Sequence, residues 1–136
     1  HRQYTQASVA LQVGKRKNPA ESIHHFNSIA LPYILEQATR KLPAYMICHE
    51  KLLSLKYKDE AGQSHLYDTL RCFLEHNQNI AHTANALFIH RTTLLYRLDK
   101  IRAFLDSDLT DRDEILYLLL SFHLMDMEEE NQNARS

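Results

Sequence analysis

Apolar positions in this chain recur at helical spacings with few interruptions, and between Asn79 and Leu105 two such patterns stand almost back to back. In the first, Ile80, Ala84 and Leu87 fall at i, i+4 and i+7 behind Asn79, a residue suited to an N-cap. Ala84 is small enough to let another helix cross closely. Phe88, Ile89 and His90 interrupt the spacing, and a longer run then brings Leu94, Leu98, Ile101 and Leu105 to one face. At about 100° per residue, Thr92, Tyr96, Asp99 and Ala103 point away from that face, flanked by Thr93, Leu95 and Lys100. Two amphipathic helices joined by a break too short for a loop predict a helix-turn-helix.

The same reading extends to both ends. Tyr4 to Val13 is helix-like and Gly14 is placed to end it. The basic, proline-containing stretch Lys15-Arg16-Lys17-Asn18-Pro19 reads as a solvated link, with contact to a polyanion as the second reading. Ile23-His24-His25-Phe26 alternates as a short strand would, and Asn27 or Ser28 can cap a helix through Ile34 and Leu35. Pro43 suits the first turn of a helix running to about Leu55, with Tyr45, Ile47, Cys48, Leu52 and Leu55 toward a core. Lys56 to Ser64 is polar and reads as a linker. Ser64 then caps a helix carrying Leu66, Leu70, Phe73 and Leu74 and ending near Asn77, which completes a three-helix core. After the turn Asp106-Ser107-Asp108, Thr110 and Asp113 form a capping box. The following helix is apolar nearly all round, from Ile115 to Met125, so it is either sandwiched between two layers or shared with a second subunit. From Asp126 the chain turns acidic and polar, and residues 128–136 are expected to be a disordered tail.

Composition supports helices throughout: two Gly and three Pro occur in 136 residues. The formal net charge of −1 conceals unlike parts. Residues 1–65 carry nine bases and five acids, 66–105 five and three, and 106–136 two and nine. Within the second helix of the pair, Arg91, Arg97, Lys100 and Arg102 face only Asp99, a local +3 that attracts phosphate. A near-neutral total therefore does not argue against DNA. Cys48 and Cys72 read as reduced thiols in helices, which fits the cytoplasm, and no apolar run approaches the roughly 20 residues that span a bilayer. The chain starts at His1 without Met, and we expect it to be part of a longer protein.

Catalytic and metal chemistry find no residues to name. Cys72 and His76 are i, i+4 and His24 and His25 are adjacent, but neither pair has further ligands at a recognisable spacing, so no metal site is predicted. No Gly-rich phosphate loop and no Gly-x-Ser-x-Gly elbow occurs, which predicts neither an enzyme nor a cofactor.

The run Leu87-Phe88-Ile89-His90-Arg91-Thr92-Thr93-Leu94-Leu95-Tyr96-Arg97-Leu98-Asp99-Lys100-Ile101 resembles the C-terminal helix-turn-helix of the PucR/CdaR-type bacterial transcription regulators, itself similar to the Fis-type module. Leu66-Tyr67-Asp68-Thr69-Leu70 resembles the opening of that domain, and Leu53 to Asp59 its preceding Leu/Tyr-Asp stretch with Lys58 inserted before the Asp. Downstream, Asp108-Leu109-Thr110 and the aliphatic helix after it are also similar. The resemblance covers about Leu42 to Met125. Thr92 stands where the family usually has Asn, which bears on base preference, and Phe88 takes a turn position that many helix-turn-helix proteins give to Gly. The resemblance implies that residues 1–40 are the remnant of a GGDEF-like domain and a linker, here without the acidic motif of a cyclase. An effector domain would lie upstream, outside this chain.

These readings predict an all-α helical bundle containing a Fis-like helix-turn-helix, with a small N-terminal helix/strand appendage. The expected organisation is 1–40 remnant, 41–64 connecting helix and loop, 65–127 DNA-binding domain and 128–136 tail. Double-stranded DNA is the expected partner, with the recognition helix at about Arg91–Leu105 in the major groove. Thr92, Thr93 and Tyr96 would reach base edges, Thr93 alternatively serving as cap or packing. Arg91 beside His90 would bond guanine or clamp a phosphate. Arg97 and Lys100 would touch phosphates, unless Arg97 pairs with Asp68 or Glu75. His82 and Thr83 would approach the backbone at the first helix. One such module binds weakly, so a homodimer or higher oligomer is expected. The rival reading is a helical interaction or oligomerisation module that never touches DNA.

Overall fold

A computed structural model describes residues 26–135, and every structural statement below concerns them. Seven α-helices and no strands occur there: α1 (Phe26–Ala38), α2 (Ala44–Ile47), α3 (Glu50–Gly62), α4 (Leu66–Glu75), α5 (Ile80–Leu87), α6 (Arg91–Leu105) and α7 (Arg112–Arg135). The all-α expectation holds. The expected N-terminal helix, the basic link and most of the expected strand lie outside the described residues. The chain divides into two compact units, one ending at Pro43 and the other running from Ala44. In the first, α1 begins at Phe26, so Asn27 and Ser28 lie within it and do not precede it as caps. Its last turn is closed by Thr39, whose hydroxyl donates to the carbonyls of Leu35 and Glu36 at 3.1 and 3.0 Å.

The second unit is built around α4, which packs on α3, α5, α6 and α7. Its spacing dictates this, because Leu66, Leu70, Phe73 and Leu74 cover more than one side and are all buried. Burying four such side chains is worth about 8 kcal/mol before ordering costs. Ser64 is not the cap of this helix. Asp59 of α3 reaches across the turn instead, its carboxylate accepting from the Ser64 hydroxyl and, at 2.5 Å, from the Tyr67 N–H. A side chain from the preceding helix thus supplies the acceptor that sequence proximity assigned to Ser64.

A single helix from Pro43 to Leu55 does not form. The chain breaks at Cys48 and His49, and α3 then continues through what was expected to be a linker, as far as Gly62. Contacts from α7 explain the break. The His49 N–H donates to the Ser121 hydroxyl at 2.8 Å, and the Tyr117 hydroxyl donates to the Ile47 carbonyl at 2.7 Å. His49 also caps α3, its Nδ1 accepting from the Leu52 N–H at 3.4 Å. These bonds to another helix replace those a continuous helix would have made. Cys48, Leu52 and Leu55 are buried as expected, whereas Tyr45 is exposed and Ile47 only half-buried; Cys48 lies in the break and not in a helix.

The start of α7 also departs from expectation. Thr110 and Asp113 make no capping box, because Thr110 is held by Asp108, whose carboxylate accepts from its N–H and its hydroxyl. Asp111 accepts from the Asp113 N–H at 3.0 Å and takes the capping role. The helix then runs between α2 and α4, which favours the sandwiched reading of its apolar sequence. Leu118, Phe122, Leu124 and Met125 are buried, while Leu116 and Tyr117 keep one side open. Arg71 of α4 holds Asp126 in a bidentate pair at 2.8 and 2.5 Å and lies over the Phe122 ring. That pairing depresses the Asp126 carboxyl and raises the Arg71 guanidinium. Residues 128–135 are helical and not a disordered tail: Glu, Gln, Ala and Arg are strong helix formers, and Lys56 of α3 pairs with Glu129.

Burial, above all, pushes the His49 imidazole below the usual histidine range, with Lys51 adding to this and Glu114 and Glu50 opposing it. A protonated ring could not accept from Leu52. Because the folded state binds this proton less readily than the unfolded chain, His49 stabilises the fold above about pH 6.5 and loses that contribution as pH falls. Urea unfolding midpoints are therefore expected to drop between pH 7.5 and 5.5, and to drop less in His49→Asn, whose cap does not titrate. Equal drops in the two proteins would remove His49 from the effect.

Candidate nucleic-acid interface

The turn between α5 and α6 is built by local bonds that the sequence only partly announces. Asn79 caps α5 as its residue type suggests, its side-chain oxygen accepting from the His82 N–H at 2.9 Å. At the other end the Ile89 N–H reaches the Ala84 carbonyl at 3.1 Å and the Phe88 N–H the Asn85 carbonyl at 3.2 Å, a Schellman closure. It requires Phe88 in the left-handed region, at φ 55° and ψ 42°. Glycine is the usual residue there. The Phe88 ring meanwhile stands 94% exposed.

α6 starts at Arg91, one residue after His90, and runs to Leu105. Leu94, Leu98 and Ile101 are fully buried and Leu105 nearly so, against α4, α5 and α3. The expected inward face is therefore the observed one. Thr92, Tyr96, Asp99, Lys100 and Ala103 are exposed on the opposite side, with Thr93 half-buried at its edge, and Arg91 is exposed as the first residue of the helix. Lys100 places its ammonium 4.7 Å from the Tyr96 ring centroid. Arg102 lies 3.9 Å from Asp99, too long for a strong pair. His90 and His82 are exposed beside the helix starts, and the His90 side chain makes no capping bond.

Two expected contact residues are placed differently. Thr83 is fully buried on the α5 face that packs on α4 and α6, and its hydroxyl donates to the Asn79 carbonyl at 2.7 Å. It cannot approach a duplex. Arg97 is half-buried and turned inward, its Nη1 donating to the buried Thr69 hydroxyl of α4 at 3.1 Å. Neither Asp68 nor Glu75 pairs with it, since Glu75 is engaged by Arg71 at 2.9 Å. Arg97 thus ties α6 to α4 and is not a free charge on the open face. Helical spacing could have added Leu95, which is exposed beside Arg91 and Tyr96. Phe88 was marked only through the resemblance, as a turn position that many helix-turn-helix proteins give to Gly; no periodicity announced its left-handed backbone or its exposed ring.

The open face therefore offers hydroxyls, an aromatic ring and two long bases on one rigid helix whose far side is locked in the core. This is a surface for a polyanion with readable edges. Among the described residues no group of three or more His, Cys, Asp or Glu side chains could hold a metal ion. Nor is any helix among them long and apolar enough to cross a membrane.

Comparison with known proteins places this geometry. Residues 66–124 match the PucR C-terminal helix-turn-helix domain. The chain is 32% identical over 123 residues to the carbohydrate diacid regulator of Escherichia coli K12. It is likewise 32% identical over 124 residues to the purine catabolism regulatory protein of Bacillus subtilis, and 29% over 123 residues to the proline-responsive transcriptional activator of that organism. About nine-tenths of the chain is covered in each case, but it spans only 31%, 22% and 30% of those relatives' lengths. No solved structure matches the chain significantly.

If Phe88 contributes nothing to the core, Phe88→Gly should relieve its left-handed backbone and leave stability unchanged or raised by up to about 1 kcal/mol. Asn79→Ala should instead cost about 1 kcal/mol by removing the cap of α5. Urea denaturation of both variants checks the pair, and a large loss in Phe88→Gly would show that the ring packs.

Proposed function

We propose that this chain, whose residues 66–124 carry a PucR-type C-terminal helix-turn-helix domain, is the DNA-binding part of a transcription regulator that places α6 in the major groove of double-stranded DNA. The observation that carries this reading is the solvent-facing side of α6, with Thr92, Tyr96 and Lys100 exposed on it and Arg91 exposed at its first turn, while Leu94, Leu98 and Ile101 are fully buried. The names of the relatives support it, all three being regulators or activators and none an enzyme.

In this reading Thr92, Thr93 and Tyr96 contact base edges or the sugar-phosphate wall. Arg91 bonds guanine bidentately or clamps a phosphate, and Lys100 meets phosphate as a point charge. His82 and His90 lie beside the helix starts, where backbone N–H groups attract the strand. Thr83 and Arg97 take no part, Thr83 being buried and Arg97 half-buried and tied to Thr69 of α4. Two copies on related half-sites would supply the affinity one module lacks, so the working form is a homodimer or higher oligomer in the cytoplasm. Matches to the relatives extend well upstream of residue 66, which supports reading residues 1–40 as the end of a preceding GGDEF-like domain, with an effector-sensing region further upstream in the whole protein.

Fluorescence anisotropy with a selected duplex and a random one, each at two salt concentrations, tests the reading. Arg91→Ala is expected to cost about 1–3 kcal/mol on the selected duplex and to relax preference at one base pair. Lys100→Ala should weaken both duplexes alike and shrink the slope of log affinity against log salt by about 0.9. A parent protein that binds neither duplex at low salt would overturn the proposal.

A further inference from the structure

α3 lies upstream of the matched domain yet packs against α6, and it divides its charges between two sides. Lys56 pairs with Glu129 of α7, and Asp59 is spent on capping α4. On the other side of the helix, Lys51 and Lys58 are seven residues apart and therefore share a face, the one toward α6. Lys51 is used within the fold, its Nζ donating to the Leu105 carbonyl at the end of α6 at 3.2 Å. Lys58 is exposed and sits with its Nζ 4.9 Å from the centroid of the Phe104 ring. Phe104 follows Lys100 by one turn of α6, and Lys100 in turn lies over Tyr96. Ring, ammonium, ring and ammonium thus succeed one another along a single edge: Tyr96, Lys100, Phe104, Lys58. Among the described residues neither lysine has an acidic partner within ion-pair distance.

We infer that Lys58 is a second phosphate-binding residue on the Lys100 side of the groove, so that the DNA interface continues past the recognition helix onto α3. This rests on the DNA-binding reading above. The chemistry is that of a positioned cation: resting on a ring face, each ammonium has part of its rotamer freedom already removed and loses less on meeting a phosphate oxygen. The contact carries no base preference, because it addresses the backbone alone. It gives α3 a role that the domain boundary at residue 66 leaves out.

The test uses the whole chain and measures affinity for a selected and a random duplex across a salt series, in the parent, Lys58→Gln, Lys56→Gln and Arg91→Ala. Lys58→Gln is expected to weaken both duplexes by the same factor, about five- to tenfold near 0.1 M salt, and to reduce the salt slope by about 0.9. Lys56→Gln, on the far side of α3, should leave the slope unchanged, and circular dichroism should show all variants folded. If Lys58→Gln keeps the parental slope while Arg91→Ala weakens binding, α3 lies outside the interface and the inference fails while DNA binding stands. If Lys56→Gln lowers the slope as much as Lys58→Gln, the effect is net charge and the inference also fails. A parent that binds no duplex overturns the functional reading itself.

Discussion

The apolar stripe of α6 pressed against α4 is the constraint on which the rest of this unit depends. Leu94, Leu98 and Ile101 lose all their solvent on one side of the helix, and Leu70 and Phe73 lose theirs on the facing side of α4. Arg97 and Thr69 add a polar lock across the same seam at 3.1 Å. A helix cannot turn about its axis once one face is held this way. The orientation of Thr92, Tyr96 and Lys100 toward solvent is therefore a consequence of packing and requires no separate device.

The electrostatics follow the same division. The acidic C-terminal stretch, residues 106–136, is brought against bases that α3 and α4 spend on it, Lys56 on Glu129 and Arg71 on Asp126. Arg91 and Lys100 and the exposed Lys58 are left with no strong acidic partner among the described residues, since the one nearby carboxylate, Asp99, lies only loosely against Arg102. A molecule with a net charge of −1 can in this way present a cationic surface.

The core of the site was legible before any coordinates. Asn79 as a cap, Ala84 on the inward side of α5, and the 3.6-residue spacing of Leu94, Leu98, Ile101 and Leu105 are local patterns, and each is found as read. The failures share a cause. Thr83 and Arg97 were expected at the duplex, Arg97 with Asp68 or Glu75 as the alternative, but each found another acceptor within the fold: the Asn79 carbonyl for the buried Thr83 and the Thr69 hydroxyl for the half-buried Arg97. Thr69 is remote in sequence, and periodicity cannot announce it.

Sequence alone thus determined which residues form helices in the matched domain, which side of α6 faces the core, and where that helix begins, because those properties depend on neighbours a few positions apart. Tertiary structure decided where caps are drawn from at a distance, as with Asp59 on α4. It also decided where a helix breaks, as at Cys48 and His49 under the hydroxyls of Ser121 and Tyr117. It decided, finally, which bases remain free. A backbone group or a charge is satisfied by whatever the fold brings within about 3 Å, and that distance is blind to separation along the chain.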